Sequence, residues 1–335
     1  MRAMVLRETG LIEQSPLMAA ELPDPAPGPG EVRLAVQVCA LCHTDLHIIE
    51  GEIAPHLRPI VPGHQIIGRI DQLGAGVTRF QLGDRVGVPW LYQTDQTCHY
   101  CKNGKENLCE HGQFTGYDAH GGYAQYHLVK AEYAYPIPEA FSDEQAAPLL
   151  CSGVVGFRAL RLSEIQPGGR LGIWGFGASA HINIQVARHW NCEIFVFTRS
   201  PEHQKLARQL GAVWAGPSGS PEAAKLPRLD AGVIYAPAGP LVIDALKMLD
   251  KGGTLALGGI YMTPIPEIDY QILWSERTVR SVANSTRQDV IDLLQVASEI
   301  PVKSEIEMFD LAELNTALQK LKRSQINGSG VVRIN

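Results

Sequence analysis

Hydrophobic and polar residues alternate over short runs in the first part of the chain. These runs lie at residues 31–38, 84–88 and 123–129, and such alternation is typical of half-buried β-strands. Prolines and glycines recur between residues 23 and 30, where they favour turns. This part is therefore predicted to be mostly β, with one cysteine-bearing excursion over residues 91–112.

The pattern changes after about residue 150, where strand-like runs begin to alternate with helix-like ones. The runs are, in chain order, 170–174, 178–190, 193–198, 201–210, 230–235, 241–249 and 254–259. Strands that alternate with helices of this length predict βαβ units and a parallel sheet. Residues 330–334 form a last strand-like run, which we expect to return to the first part of the chain.

A chain of 335 residues is long enough for about two domains of about 150 residues each. The change of pattern gives the boundary between them. Residues 1–150, with 285–335 returning to them, are predicted to form a β-rich domain. Residues 151–284 are predicted to form an α/β domain with a doubly wound parallel sheet.

Composition and charge exclude several classes of protein. Hydrophobic residues make up 45% and charged residues 19% of the chain, a globular composition that excludes a disordered protein. The formal net charge is −6, without long blocks of like charge, so neither nucleic acid nor a membrane surface is expected as a partner. The sequence has no apolar run of membrane-spanning length and no signal-peptide pattern at its start. We therefore expect a cytoplasmic protein.

The cysteines indicate metal chemistry. There are seven, an odd number in a long chain, which argues against a disulfide framework. Three of them, Cys98, Cys101 and Cys109, lie close together in the excursion. In a reducing compartment, such clustering indicates a metal site or catalysis before disulfides.

A glycine-rich turn follows the run at 170–174. Gly175, Gly177 and Ala180 form a G-x-G-x-x-A pattern between a predicted strand and a predicted helix. The first glycine allows a tight turn, the second lets the backbone approach a pyrophosphate, and the small third residue permits close helix–strand packing. A structural turn is the alternative, but the strand–turn–helix context favours dinucleotide binding.

The end of the next predicted strand indicates which dinucleotide is bound. NAD-binding domains place an acidic residue about 20 positions after the glycines, where it binds the ribose 2′-hydroxyl. Here Thr198 and Arg199 occupy that region, and the first carboxylate is that of Glu202. Because arginine can pair with a 2′-phosphate, NADP(H) is favoured over NAD(H). The alternative is a solvated surface arginine.

Three further segments contain potential metal ligands: Cys42, His64 and Cys151. Each also has an ordinary interpretation as a buried thiol, a surface histidine or a core cysteine. The chain nevertheless resembles the zinc-dependent medium-chain alcohol dehydrogenases, and within them a bacterial AdhA-like branch, over essentially its whole length. The motifs that carry the resemblance are Cys42-His43-Thr44-Asp45-Leu46-His47, Pro62-Gly63-His64, Cys98-x-x-Cys101, Gly121-Gly122-Tyr123-Ala124 and the glycine turn.

The resemblance implies a Rossmann domain and a β-rich catalytic domain with a distorted-barrel, GroES-like core. It also implies that Cys42, His64 and Cys151 bind a catalytic zinc, whose fourth position is left to water or substrate. In the same way, it implies that Thr44 contacts the substrate oxygen and that His47 is the outer proton acceptor, with the cofactor ribose linking the two.

The resemblance also implies roles for residues around these ligands. His43 would face the cofactor pyrophosphate, and Asp45 would orient His64. Trp90 and Tyr92 would line the substrate cleft, although a plain core role is an equal alternative for both.

Two positions depart from the family pattern. Gln65 replaces a glutamate that normally follows the histidine ligand, and it removes a charge behind the zinc. The family also has a closed zinc site of four cysteines, and Asp95 takes the place of the first of them, before Cys98, Cys101 and Cys109. A carboxylate can ligate zinc, so we expect a structural zinc with Asp95 as its fourth ligand. A site that has decayed is the alternative, and His99 is a fallback donor.

The sequence thus predicts an NAD(P)-dependent alcohol dehydrogenase that transfers a hydride between NADP(H) and a small alcohol or carbonyl compound. The resemblance suggests a homodimer or homotetramer. Two alternatives remain: a zinc-free reductase of quinones or activated alkenes, and an inactive dinucleotide-binding protein. The substrate itself is not predicted, because pocket loops rather than fold select it.

Overall fold

The structure is a computed structural model that describes residues 1–300 and 302–335. The chain divides into two compact units. The first consists of Met1–Cys151, Ser285–Ser298 and Ser304–Asn335, and the second of Ser152–Asn284 and Glu299–Lys303.

The strands fall mainly where hydrophobic and polar residues alternate. In the described part of the chain they are, in order, β1 (Arg2–Leu6), β2 (Leu17–Glu21), β3 (Glu31–Ala40), β4 (Ile66–Leu73), β5 (Arg85–Val88), β6 (Leu91–Gln93), β7 (Gln113–Phe114), β8 (Tyr126–Lys130), β9 (Tyr135–Pro136), β10 (Arg170–Trp174), β11 (Glu193–Phe197), β12 (Trp214–Gly216), β13 (Leu229–Ile234), β14 (Leu249–Leu257), β15 (Thr278–Ser281), β16 (Ile306–Asp310) and β17 (Ser329–Arg333).

The helices are concentrated in the second half of the chain. Those in the described residues are α1 (His43–Glu50), α2 (His99–Lys102), α3 (Asp143–Ala146), α4 (Ser152–Leu162), α5 (Ala178–His189), α6 (Pro201–Gln209), α7 (Pro240–Met248), α8 (Tyr270–Leu273), α9 (Arg287–Glu299) and α10 (Leu314–Lys322). None of the helices described is both long and apolar enough to cross a membrane.

The first unit is built around a seven-stranded sheet. Its order is β16-β17-β3-β4-β5-β9, with β8 also paired to β3. Most side chains of β3 are buried, and Val32, Leu34 and Val36 of this strand belong to the hydrophobic core of the unit. The last strand, β17, pairs antiparallel with β3 through Val331 and Ala40, so the end of the chain completes this sheet.

The second unit contains a six-stranded sheet in the order β12-β11-β10-β13-β14-β15. Every pair in it is parallel, which confirms the sheet that the strand–helix alternation predicts. Trp174 and Phe197 stack at 4.4 Å between ring centroids in its core. The strand order reverses between β10 and β13, and parallel sheets bind ligands beyond the carboxyl ends of strands at such a point.

Two short parts of the chain lie in a different unit from the one that the sequence predicts. Cys151 is predicted in the second unit but belongs to the first, because it follows Leu150, which packs on β5. Residues 299–303 are predicted in the first unit but belong to the second. The reason is the Gln185 side chain of α5, whose amide accepts from the Lys303 N–H at 3.0 Å and donates to the Lys303 carbonyl at 2.8 Å.

Candidate metal centres and cofactor turn

The pairing of β3 with β4 brings two distant segments together in the first unit. Cys39 lies opposite Ile66 in this antiparallel pair, so Cys42 and His64 lie just beyond the same end of the two strands. A backbone hydrogen bond from the Ala40 N–H to the Gln65 carbonyl at 3.0 Å extends the pairing towards them.

Cys151 reaches the same place through packing on β5. This strand pairs with β4 through Val88 and Ile66. Gly87 in β5 leaves room for Leu150, since a Cβ atom there would come within 2.7 Å of the leucine side chain. The next residue, Cys151, follows directly at the end of a short 3₁₀ helix, Ala147–Leu150.

The three side chains converge in a buried cluster. Their ligand atoms all lie within 4.8 Å of one another, and the two sulfur atoms are 3.9 Å apart. The His64 side chain is fully buried, with Nδ1 lying 3.1 Å from Asp45 Oδ1. Among the described residues, no hydrogen-bond partner is found for its Nε2. A buried imidazole nitrogen without a partner, beside two thiols, fits a zinc ion, whose catalytic sites use three such protein ligands.

The electrostatics of the cluster favour a cation. Burial opposes a charge on His64, but the attraction of Asp45 and Cys42 outweighs it and raises the pKa of His64 to about 10. The hydrogen bond with Cys42 and burial raise the pKa of Cys151 well above its ordinary value. Bound metal would relieve both effects, because it requires deprotonated thiols and neutral imidazole.

Asp45 connects this cluster to a residue that the sequence analysis did not single out. Its Oδ2 accepts from the Cys42 N–H at 2.9 Å and from the Tyr123 hydroxyl at 2.8 Å. Both Asp45 and Tyr123 are fully buried. The only sequence signal for Tyr123 was its place in the Gly121–Ala124 motif, since 78 residues separate it from Asp45.

Helix α1 carries the residues expected to handle the proton. Thr44 is buried, and its Oγ1 lies 3.6 Å from Cys42 Sγ. His47 is half-buried one turn further along, and its Nδ1 contacts a carboxylate oxygen of Glu52. His43 is exposed at the start of the helix. Glu52 was not predicted, because its five-residue spacing from His47 matches no helical contact.

Gln65 occupies the position beside the histidine ligand and is fully buried. Its side-chain N–H donates to the Leu41 carbonyl at 2.9 Å. The amide therefore ties the start of β4 to the residue just before Cys42, a bond that a glutamate carboxylate could not donate.

The two aromatic residues expected to line the substrate cleft have different surroundings. Trp90 is buried and packs edge-on against His64 at 4.8 Å between centroids, so it contacts the metal cluster. Tyr92 instead packs edge-on against His127 at 6.3 Å. Burial, followed by the charge of Glu31, raises the pKa of Tyr92 to about 12.

The excursion in the first unit forms a second cluster. The ligand atoms of Asp95, Cys98, Cys101 and Cys109 all lie within 4.8 Å of one another, and the three cysteines are half-buried. Burial and the neighbouring Cys98, Asp95 and Cys109 raise the pKa of Cys101 to about 12, against a hydrogen bond with Thr94 that lowers it. Three thiols and a carboxylate at this spacing fit a closed tetrahedral zinc site.

The glycine turn lies in the second unit, between β10 and α5. Gly175 has a φ of +86°, and a Cβ atom there would lie 2.8 Å from the Ala236 nitrogen, so only glycine fits. Gly177 precedes the helix, and apart from its chain neighbours no atom of the described residues lies within 4 Å of the position of a Cβ there. The backbone at the helix N-terminus is thus open to an anion such as a pyrophosphate. Ala180 is fully buried.

The residues expected to select the cofactor follow β11. Arg199 is exposed and Thr198 is half-buried. Glu202, in the first turn of α6, accepts a hydrogen bond from the Ser200 hydroxyl at 2.8 Å. The carboxylate is therefore engaged at the start of its own helix.

Both halves of the chain match known protein families. Residues 28–139 match the family described as alcohol dehydrogenase GroES-like domain, and residues 175–299 match the family described as zinc-binding dehydrogenase. A probable alcohol dehydrogenase AdhA of Mycobacterium tuberculosis (strain CDC 1551 / Oshkosh) is 41% identical, covering 100% of this chain and 97% of the relative. An alcohol dehydrogenase of Geobacillus stearothermophilus is 35% identical, covering 98% of this chain and 99% of the relative.

A solved structure of an alcohol dehydrogenase has the same fold. The cinnamyl alcohol dehydrogenase SbCAD4 from Sorghum bicolor superimposes with a TM-score of 0.91 at 27% identity, over 99% of this chain and 97% of that one. Zinc is the cofactor that the description of the second family names. The chain therefore belongs to the zinc-binding medium-chain alcohol dehydrogenases, and it is an oxidoreductase of alcohols and aldehydes.

Proposed function

We propose that Cys42, His64 and Cys151 hold the catalytic zinc of this alcohol dehydrogenase. The observation that carries the proposal is the convergence of the three ligand atoms within 4.8 Å. The reaction is reversible: an alcohol and the oxidised cofactor give a carbonyl compound, the reduced cofactor and a proton. When bound, zinc supplies a Lewis acid for the substrate oxygen, and the nicotinamide accepts the hydride.

The protein's own residues position the reactants and move the proton. Thr44, buried next to Cys42, holds the substrate hydroxyl and takes part in its deprotonation. His47 passes the proton outward, and its contact with Glu52 fixes the orientation of the imidazole. Asp45 fixes that of His64, as carboxylates behind metal-bound histidines usually do. Trp90, packed on His64, supplies a wall next to the substrate.

Metal analysis and a cofactor assay test this function together. We expect bound zinc and oxidation of the reduced cofactor with simple aldehydes. A protein without zinc that reduces quinones or activated alkenes would support the zinc-free reductase instead. A protein that binds the cofactor without turnover on any of these substrates would be the inactive binder.

We further propose that Asp95, Cys98, Cys101 and Cys109 hold a structural zinc. Support comes from their spacing within one excursion and from the mutual proximity of their ligand atoms. We expect about two zinc ions per chain, one structural and one catalytic. Asp95→Cys should slow zinc loss to a chelator and raise thermal stability, whereas Asp95→Ala should do the reverse. One zinc per chain, unaffected by Asp95→Ala, would contradict the structural site.

For the cofactor, we propose that NADP(H) is preferred over NAD(H). Exposed Arg199 and the Thr198 hydroxyl follow β11, and Glu202 is engaged by Ser200. Arg199→Ala should reduce the difference in binding free energy between NADPH and NADH by about 1.5–3 kcal/mol, since a hydrogen bond to a charged group contributes this much. Thr198→Asp should shift it towards NAD(H), because its carboxylate repels the 2′-phosphate and accepts from a free ribose hydroxyl. Equal or better kcat/KM with NADH in the wild type would contradict this proposal.

We also propose a homo-oligomer, a dimer or tetramer, that works in the cytoplasm. The sheet edge at β15 is preceded by exposed apolar side chains, including Tyr270 and Trp274, and such patches often mark interfaces. The proposed compartment rests on the cysteines, which are free, as is usual in a reducing compartment such as the cytoplasm. Light scattering of the wild type and of Trp274→Glu tests the oligomer, and a monomeric wild type would contradict it.

A further inference from the structure

The carboxylate of Asp95 is held on both of its oxygens. Oδ1 accepts from the backbone N–H groups of Thr97 and Cys98, each at 2.9 Å. Oδ2 lies 3.0 Å from Nδ1 of His111. Three nitrogen groups around its two oxygens fit an ionised carboxylate, which only accepts hydrogen bonds.

The acceptor positions of this carboxylate are almost all filled. An ionised carboxylate offers about four lone-pair positions, two on each oxygen. The two backbone groups fill those of Oδ1, and His111 fills one on Oδ2. These bonds leave one acceptor position on Oδ2. A carboxylate oxygen of Asp95 also lies within 4.8 Å of the sulfur atoms of Cys98, Cys101 and Cys109, where a zinc ion would bind.

His111 itself is placed as a support rather than as a ligand. Its side chain is 75% exposed, and among the described residues the group of mutually close ligand atoms consists of Asp95, Cys98, Cys101 and Cys109. Because a carboxylate accepts only, the nitrogen that faces Asp95 must carry a proton. A protonated nitrogen cannot bind a metal.

We propose that His111 is a positioning residue, whose Nδ1–H donates to Asp95 Oδ2 and holds the carboxylate in the orientation that completes a three-sulfur, one-oxygen zinc site. This inference rests on the structural zinc proposed above. A carboxylate is harder than a thiolate and less suited to sulfur-rich surroundings, and it can also rotate about its last bond. Bonds on both oxygens remove that rotation, and the partner at His111 compensates for the missing cysteine.

The experiment measures the rate of zinc transfer from the zinc-loaded enzyme to a chromophoric chelator. His111→Ala should speed the loss of one zinc about 10–100-fold, as the removal of outer partners of metal ligands usually does. His111→Asn should restore slow loss, because an asparagine amide can donate from nearly the same place. His56→Ala is the matched control: His56 is also an exposed histidine whose Nδ1 lies against a carboxylate, 2.7 Å from Asp118 Oδ1, but neither residue belongs to the cluster.

The same substitution made in the Asp95→Cys variant separates a positioning role of His111 from a general structural role. In Asp95→Cys there is no carboxylate to orient, so adding His111→Ala should leave the rate of zinc loss unchanged. Cobalt-substituted protein gives an independent readout, because the visible spectrum reports the coordination geometry. His111→Ala should broaden or shift the bands of the wild type, and Asp95→Cys/His111→Ala should match Asp95→Cys.

The outcomes distinguish the two proposals. If Asp95→Ala speeds zinc loss but His111→Ala behaves like His56→Ala, the positioning role is overturned and the zinc site stands. The positioning role is likewise overturned if His111→Ala is equally damaging in the Asp95→Cys background. If Asp95→Ala changes neither zinc content nor its rate of loss, the structural zinc fails, and the inference fails with it.

Discussion

The two candidate metal centres of the first unit are built in opposite ways. Cys42, His64 and Cys151 come from segments about 20 and 85 residues apart and meet only because strands pair and Leu150 packs on β5. The second cluster lies within a single excursion, between Asp95 and Cys109. The first cluster therefore depends on the fold of the whole unit, whereas the residues of the second lie within one loop.

The two clusters differ in burial and in the number of ligands, and both differences agree with the roles proposed for them. The first cluster has three protein donors, including a fully buried imidazole, the donor number of catalytic zinc sites, whose fourth position is open to a reactant. The second has four donors and half-buried cysteines, the donor number of a closed structural zinc site.

The largest expected effect is at the first cluster. Cys42→Ala, His64→Ala or Cys151→Ala should each lower kcat more than about a thousandfold, since Lewis-acid catalysis supplies several kcal/mol. Each should also lose one zinc per chain while keeping its circular dichroism spectrum. Cys192→Ala is the control, because this buried thiol lies in the second unit, with its Sγ 3.7 Å from the Gln166 carbonyl. A ligand variant with more than a few per cent of wild-type activity would refute the assignment.

Next in size is the effect of removing the hydroxyl beside Cys42. Thr44→Ala should lower kcat about 10²–10⁴-fold, the range of general acid–base participation, with zinc content unchanged. Thr44→Ser keeps the hydroxyl and should be far milder. Steady-state kinetics and metal analysis of both variants test this, and equal loss in the two would mean that the threonine methyl group, not the hydroxyl, matters.

A smaller effect is expected from the outer support of the first cluster. Tyr123→Phe removes the donor to Asp45 Oδ2 and should weaken zinc about 10-fold at this cluster, as loss of such a partner does. Competition with a chelator measures the affinity. Tyr235→Phe is matched, because Tyr235 also donates a hydroxyl bond, to Gly156 in the second unit. Equal zinc affinity in both variants would show that Tyr123 does not support the cluster.

The smallest expected effect separates acid unfolding from acid-driven loss of metal. Burial lowers the pKa of His127 from 6.5 to about 4, so the unfolded chain takes up this proton first as pH falls. Its contribution to stability is complete above pH 6.5 and is lost towards pH 4, by about 3 kcal/mol. His127→Leu should flatten the fall in urea-unfolding free energy over this range.

The control for this measurement is His189→Leu, a change at an exposed histidine of α5. It should leave the pH dependence of the unfolding free energy as in the wild type. A His127→Leu curve that parallels the wild-type curve from pH 7 to pH 4.5 would assign the acid sensitivity to the metal clusters instead.

The sequence predicts most where the signal is local. The alternation after residue 150 predicts the parallel sheet, and Gly175 at the end of β10 has the positive φ that the tight turn requires. The two departures, Gln65 and Asp95, were also visible in the sequence. Their new bonds, to the Leu41 carbonyl and to His111, were not.

Spacing along the chain is enough to predict the strand–helix alternation, the glycine turn and the cysteine-rich excursion. Which distant residues come into contact depends on folding, because a contact across 78 residues, as between Tyr123 and Asp45, requires the strand register and packing of the folded unit. No short-range pattern specifies such contacts. For the same reason, His111 acquires its relation to Asp95, 16 residues away, only when the excursion folds back on itself.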